Sequence, residues 1–149
     1  MKKLIIFAAL SVVFTFYCGE EKKEEPKEEA LVPIDPKDDI GIGPVKSMQL
    51  ADIDGKLVKE GEKVFKLKCA ACHKMTKRLV GPPLEDVTKR RRPEWIMNMI
   101  LNPIEMIQKN ATANALLKQY TAPMAQQNLT EQEARSVLEY FRKYDSGKK

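Results

Sequence analysis

At 149 residues, with 32% charged and 43% hydrophobic side chains, the chain has room for one compact domain plus appendages and excludes two independently folded domains. Its formal charge of +5 is unevenly placed: residues 50–149 hold 19 Lys+Arg against 12 Asp+Glu, whereas residues 20–29 hold six acids against three lysines. A basic domain behind an acidic leader bears on partners and solubility and leaves the fold open.

The chain opens with Met1, Lys2 and Lys3, followed by residues 4–17, apolar but for Ser11 and Thr15. That run falls short of the roughly 20 residues a helix needs to cross a bilayer. Residues 1–17 therefore read as a signal peptide, to be set aside in fold reasoning. No small-x-small cleavage site follows; the border is marked instead by Cys18 and Gly19. Cys18 in this setting resembles the lipid-modified cysteine of bacterial lipoproteins, with Tyr17 and Thr15 where that pattern carries a small residue and a leucine. The resemblance implies an exported, membrane-anchored protein facing the periplasm. An uncleaved anchor or ordinary cleavage are the alternatives.

From Gly19 to about Ser47 the chain is rich in Glu, Lys and Pro and has no aromatic residue; Pro26, Pro33, Pro36 and Pro44 interrupt any helix. Residues 18–48 are thus expected to form a solvated linker, with a coil end-to-end distance of roughly 30 Å. The folded domain is expected at 49–149.

Asp54 can cap a helix over about residues 55–68, where Leu57, Gly61, Val64, Phe65 and Lys68 recur at helical spacing. This helix leads into Cys69-Ala70-Ala71-Cys72-His73, a C-x-x-C-H. Two thiols so spaced can reach the two vinyl groups of one haem while the adjoining imidazole approaches the iron. His73 is the only histidine in the sequence. A structural zinc site wants four Cys or His ligands, and the third cysteine lies in the export segment. A thioredoxin-like dithiol would follow a strand rather than a helix. A Cys69–Cys72 disulfide would leave His73 unexplained. One covalent haem c is the expected cofactor.

Gly81-Pro82-Pro83-Leu84 reads as a rigid extended turn. Arg92-Pro93-Glu94 starts a helix carrying Trp95, Ile96, Met99 and Ile100 at helical spacing, and Asn102-Pro103 ends it and begins another short one. Thr130-Glu131-Gln132-Glu133 is a capping box for a last helix to about Tyr144, with Ala134, Val137, Leu138 and Phe141 on one face. No segment alternates with period two, so the expectation is all-α, about four to five helices around one haem.

In this order of elements, residues from about Ile53 to Tyr144 resemble class I cytochrome c, the small monohaem electron carriers. The early position of the C-x-x-C-H argues against the four-helix bundles of cytochrome c′. The resemblance implies close crossing of the first and last helices, with Gly61, Phe65 and Tyr140 at the matching positions. It implies that the Pro82 carbonyl accepts the axial histidine's ring N–H. Trp95 matches a position beside the haem that donates to a propionate; the plainer reading is a core aromatic.

With no second histidine, methionine is the candidate for iron's other face. Met75 lies too near His73 to wrap a haem, and Met97, Met99 and Met106 fall in helical patterns that read as core. Met124 sits in the polar loop before the last helix, where the class I axial methionine falls; Ala125 stands in place of the usual following proline, with Pro123 before it. The expected iron ligands are His73 and Met124, and a filled coordination sphere implies a carrier rather than an enzyme. The alternatives are a haem enzyme or gas-binding sensor with a labile sixth ligand, and a docked haem subunit of a larger oxidoreductase. Lys66, Lys68, Lys74, Lys77, Arg78 and residues 89–92 gather basic charge around the motif. They suit an acidic redox partner, or a solvated face partly paired to haem propionates. Nucleic acid is not expected in an exported protein, and the domain is expected to be monomeric.

Overall fold

The computed structural model describes residues 31–147, which fold as six α-helices and one π-helical turn, with no strand among the described residues. The expected signal peptide at residues 1–17 and Cys18 lie outside the described residues. The helices are α1 (Gly55–Val64), α2 (Val87–Arg90), α3 (Pro93–Leu101), α4 (Pro103–Lys109), α5 (Ala111–Tyr120) and α6 (Glu131–Ser146). No described helix is long and apolar enough to cross a membrane.

Local chemistry sets the boundaries. The Asp54 carboxylate accepts from the backbone N–H of Lys56 at 2.7 Å, which satisfies a donor left free at the start of α1. Pro93 and Pro103 open α3 and α4, where a missing N–H costs nothing. The Thr130 hydroxyl accepts from Glu133 N while the Glu133 carboxylate accepts from Thr130 N, the reciprocal pair that opens α6. Two of the six helices are not among the four that the sequence places. One is the single turn α2, held from outside by the Asp145 carboxylate, which accepts from Asp86 N and from Thr88 N and Oγ1. The other is α5, capped by the Asn110 side chain on Ala113 N.

The core forms where α1 crosses α6. Gly61 lies against the α6 backbone at Ser136, so closely that any side chain at 61 would overlap the Ser136 carbonyl. That approach lets Phe65 reach Tyr140 and Phe141, with ring centroids 5.4 and 5.8 Å apart. Val64, Phe65, Val137, Leu138 and Phe141 are all buried, each worth roughly 2 kcal/mol of apolar transfer.

The expected linker needs one correction. Its described end, residues 39–48, packs along α3, α4 and the α5 cap. Val45 N donates to Asn98 Oδ1 at 2.9 Å, Asn98 Nδ2 donates to the Ile40 and Val45 carbonyls, and Met48 N donates to Glu94 Oε1 at 3.0 Å. Val45 and Asp39 are buried. The polar groups that make this segment look solvated are satisfied by side chains 46 to 71 residues away.

Candidate functional site

The π-helical turn Phe65–Cys69 carries α1 into the cysteine pair, closed by Ala70 N donating to Phe65 O at 2.9 Å. The extra residue per turn re-aims the chain at this point, a common use of π-bulges at functional sites. Cys69, Cys72 and His73 then form one tight turn: Cys72 N and His73 N both donate to Cys69 O, at 3.0 and 2.9 Å. Gly81 N reaches back to Cys72 O at 2.9 Å, so the proline-rich turn is pinned beside the motif.

This folding places the Pro82 carbonyl 3.0 Å from His73 Nδ1. A carbonyl can only accept, so the ring proton sits on Nδ1 and the Nε2 lone pair is left for another partner. Burial lowers the His73 pKa below its ordinary value against a smaller opposing effect of the Pro82 bond, so the ring is neutral at pH 7, as a metal ligand must be. The Cys69 thiol is pushed up to about 11, first by burial and then by Cys72. No disulfide joins the two sulfurs; Cys69 is half-buried and Cys72 exposed. Among the described residues no cluster of three His, Cys, Asp or Glu side chains could hold a bare metal ion.

Cys69, Cys72 and His73 line a cleft with a cavity volume of about 230 Å³. Pro82 and Leu84 form one wall; Trp95, Ile96, Met99 and Ile100 of α3 form another. α5 adds Leu116, Leu117 and Tyr120, and Val137 and Phe141 close the base. Met124 lines the same cleft from the loop between α5 and α6. That loop is entered through Thr121 and left near Asn128, both with positive φ (54° and 53°), and Gln126 Nε2 ties it to Leu101 O at 2.8 Å. Left-handed backbone at a β-branched residue is costly and marks a shaped rather than a slack connection.

Trp95 lines the cleft, but its indole N–H donates to Asn110 Oδ1 at 3.3 Å rather than being free for a propionate. Met97 and Met106 are fully buried, as core methionines. Of the basic residues, Lys68, Arg90 and Arg91 line the cleft. Lys66, Lys89 and Arg92 pair with Glu62, Asp86 and Glu94, and Arg78 stacks on Tyr120, 4.6 Å from the ring centroid. Asn110, absent from the sequence expectations, stands behind the cleft wall and bonds two of its lining residues, Trp95 and Ala113; its only sequence signal is an Asn placed before an alanine-rich run, a possible cap.

The donor set fits a haem. Two thiols and a neutral imidazole stand at one edge of an apolar cleft, a soft thioether lines it elsewhere, and guanidinium groups can meet carboxylates.

Residues 58–145 match the cytochrome c family. Among solved structures, cytochrome c from Rhodothermus marinus is 43% identical, covering 71% of this chain and 92% of its own, with a TM-score of 0.70. An engineered form of that protein, bound to a carbene intermediate, is 44% identical with a TM-score of 0.65, covering 70% of this chain and 91% of its own. The cytochrome c domain of the pp3183 protein from Pseudomonas putida is 25% identical, covering 58% of this chain and 88% of its own, with a TM-score of 0.52. Among curated proteins no match is found.

Proposed function

This chain belongs to the cytochrome c family and carries covalently bound haem c, and from that premise we propose that it passes single electrons between redox proteins without performing substrate chemistry. Cys69 and Cys72 hold the haem through thioether bonds. His73, through Nε2, and Met124, through its sulfur, are the residues that would hold the iron. When bound, the haem supplies a one-electron Fe(III)/Fe(II) couple. A thioether ligand favours the reduced metal and raises the potential.

The single observation that supports this reading is the shared cleft, in which a neutral, oriented His73 and the Met124 loop are brought to one apolar space. Were His73 and Met124 both to hold the iron, no coordination position would be left for a substrate. The apolar walls exclude water, which keeps the charge change on the iron from being screened. The basic rim steers an acidic partner to the haem edge. In the cell the domain is exported and works outside the inner membrane, held to a membrane through a lipid on Cys18.

The test is the mature protein made in its own host. Its mass exceeds that of the polypeptide by one haem, and the oxidised form shows the weak far-red band of sulfur–iron ligation, which Met124→Ala removes. A protein weighing no more than its amino acids, without Soret absorbance, overturns the proposal. Rapid carbon monoxide binding by the reduced native protein overturns the carrier role in favour of a haem enzyme or gas sensor. Size-exclusion of the detergent-extracted protein separates a free shuttle from a docked subunit, and metabolic labelling with a fatty acid tests Cys18.

A further inference from the structure

A chain of polar contacts links the N-terminal segment to the cleft. Asp39 is only 2% exposed. Its Oδ1 accepts from Gly41 N at 2.9 Å and from Asn110 Nδ2 at 2.8 Å, and its Oδ2 lies 3.1 Å from the same Nδ2. Both partners are donors, which suits an acceptor-only carboxylate. On the other side of Asn110, Oδ1 accepts from Ala113 N at 2.9 Å and from Trp95 Nε1 at 3.3 Å. Donors at its oxygen and a carboxylate at its nitrogen fix which way this amide points. The Trp95 ring in turn carries the Arg91 guanidinium, 5.2 Å from its centroid, and both residues line the cleft. Burial lowers the Arg91 pKa, and the negative charge of Asp39 acts against that.

A carboxylate is more than a helix cap or a strap anchor needs. Asn110 caps α5 through its own oxygen, and residues 40–48 are fastened independently by Asn98, Asn102 and Glu94. We propose that Asp39 is a positioning residue for electron transfer: through Asn110 it holds the Trp95 indole, and with that ring the Arg91 guanidinium stacked on it, against the cleft wall, and so helps set the reduction potential. The segment leading from the N-terminus thereby tunes the metal from outside the cleft, as outer-shell groups do at other metal sites. The inference rests on the haem-carrier reading. A buried negative charge behind the cleft wall would favour the oxidised form of a haem held in the cleft, and the low dielectric around a buried carboxylate lengthens its reach.

The experiment is the reduction potential of the haem-loaded protein, measured spectroelectrochemically. Asp39→Asn keeps the side-chain shape and removes the charge. It is expected to shift the equilibrium toward the reduced form by up to about tenfold, ~59 mV for one electron. Val45→Ala loosens the same segment elsewhere and is expected to lower thermal stability while leaving the potential in place. An Asp39→Asn protein with the wild-type potential overturns the proposal, as does a Val45→Ala protein whose potential moves equally. Should Asp39→Asn not fold, Arg91→Gln is expected to lower the potential and Arg91→Lys to restore it; an unchanged potential in Arg91→Gln overturns the proposal equally. The two readings fail differently: a wild-type protein with no covalent haem and no redox wave ends the carrier reading, whereas a normal wave unmoved by Asp39→Asn ends only this one.

Discussion

His73 and Gly81 are in contact edge to backbone: a methyl group on Gly81 would overlap the imidazole at Cε1, Nδ1 and Nε2. The ring is therefore held from two sides, by the Pro82 carbonyl at Nδ1 and by the bare α-carbon next to it. Orientation of an axial ligand decides how well its lone pair meets the iron.

Gly81→Ala is accordingly expected to push the imidazole off its bond to Pro82 and weaken its donation to iron. The outcome to measure is a shifted Soret maximum together with reduced haem-loaded yield in the native host. An alanine variant with the wild-type spectrum and yield would show that the ring has room the structure does not give it.

A second prediction concerns acid. The Glu94 carboxylate is held below its ordinary value of 4.5, chiefly by the Arg92 guanidinium, with Met48 N donating to it as well. The folded value lies below the unfolded one, so the unfolded chain binds more protons in this window. The contribution of Glu94 is present above about pH 4.5 and declines as pH falls through the lower folded value. Glu94→Gln is expected to cost about 2 kcal/mol at pH 7, the scale of a charge-assisted hydrogen bond. It should also flatten the acid limb of a stability-against-pH curve measured by denaturant melts. An equally steep limb in the variant removes Glu94 from the account.

What could be read from the sequence, and what could not, divides on distance along the chain. Thr130 with Glu133, Asp54 with Lys56, and the prolines at 93 and 103 act within three residues, so their patterns announce helix starts directly. The C-x-x-C-H is equally local. The α5 cap depends on Asn110, whose amide is shared with Asp39, 71 positions away, and no local pattern carries that. Residues 39–48 look like linker because their hydrogen-bond partners, Asn98 among them, lie far along the chain. Helical spacing is enough to put Trp95 on α3, while the partner of its N–H, Asn110, lies 15 residues on and outside that pattern. The π-helical turn leaves no trace in spacing, since its residues continue the pattern of α1.

The α1–α6 crossing gives a third prediction. Helix propensity alone would make Gly61→Ala stabilising by about 1 kcal/mol. The new Cβ would instead meet the Ser136 carbonyl and Val137 N, backbone atoms of a 16-residue helix that cannot step aside singly. Separating the helices also draws Phe65 away from Tyr140 and Phe141. The net expectation is a loss of about 2 kcal/mol and a fall in Tm of roughly 10 °C, read by calorimetry of the haem-loaded protein. An unchanged or raised Tm would contradict the packing.

The last prediction concerns the charged rim. Lys68, Arg90 and Arg91 line the cleft, and Lys74 and Lys77 are exposed on the segment just after His73. The neighbouring Lys66, Lys89 and Arg92 have acidic partners within their own segments, which reduces their net field. Charges at a solvent-exposed rim act over a screening length of about 10 Å at 0.1 M salt, so attraction to an acidic partner should fade as salt rises. Electron transfer with the physiological partner is expected to slow by roughly tenfold or more between low and high ionic strength. Lys74→Glu combined with Lys77→Glu should lower the low-salt rate and flatten the salt dependence while leaving the reduction potential nearly unchanged. That combination isolates encounter from chemistry, because stopped-flow rates report the first and the potential reports the second. Rates that ignore salt in the wild-type protein would mean that docking relies on apolar contact and not on the basic rim.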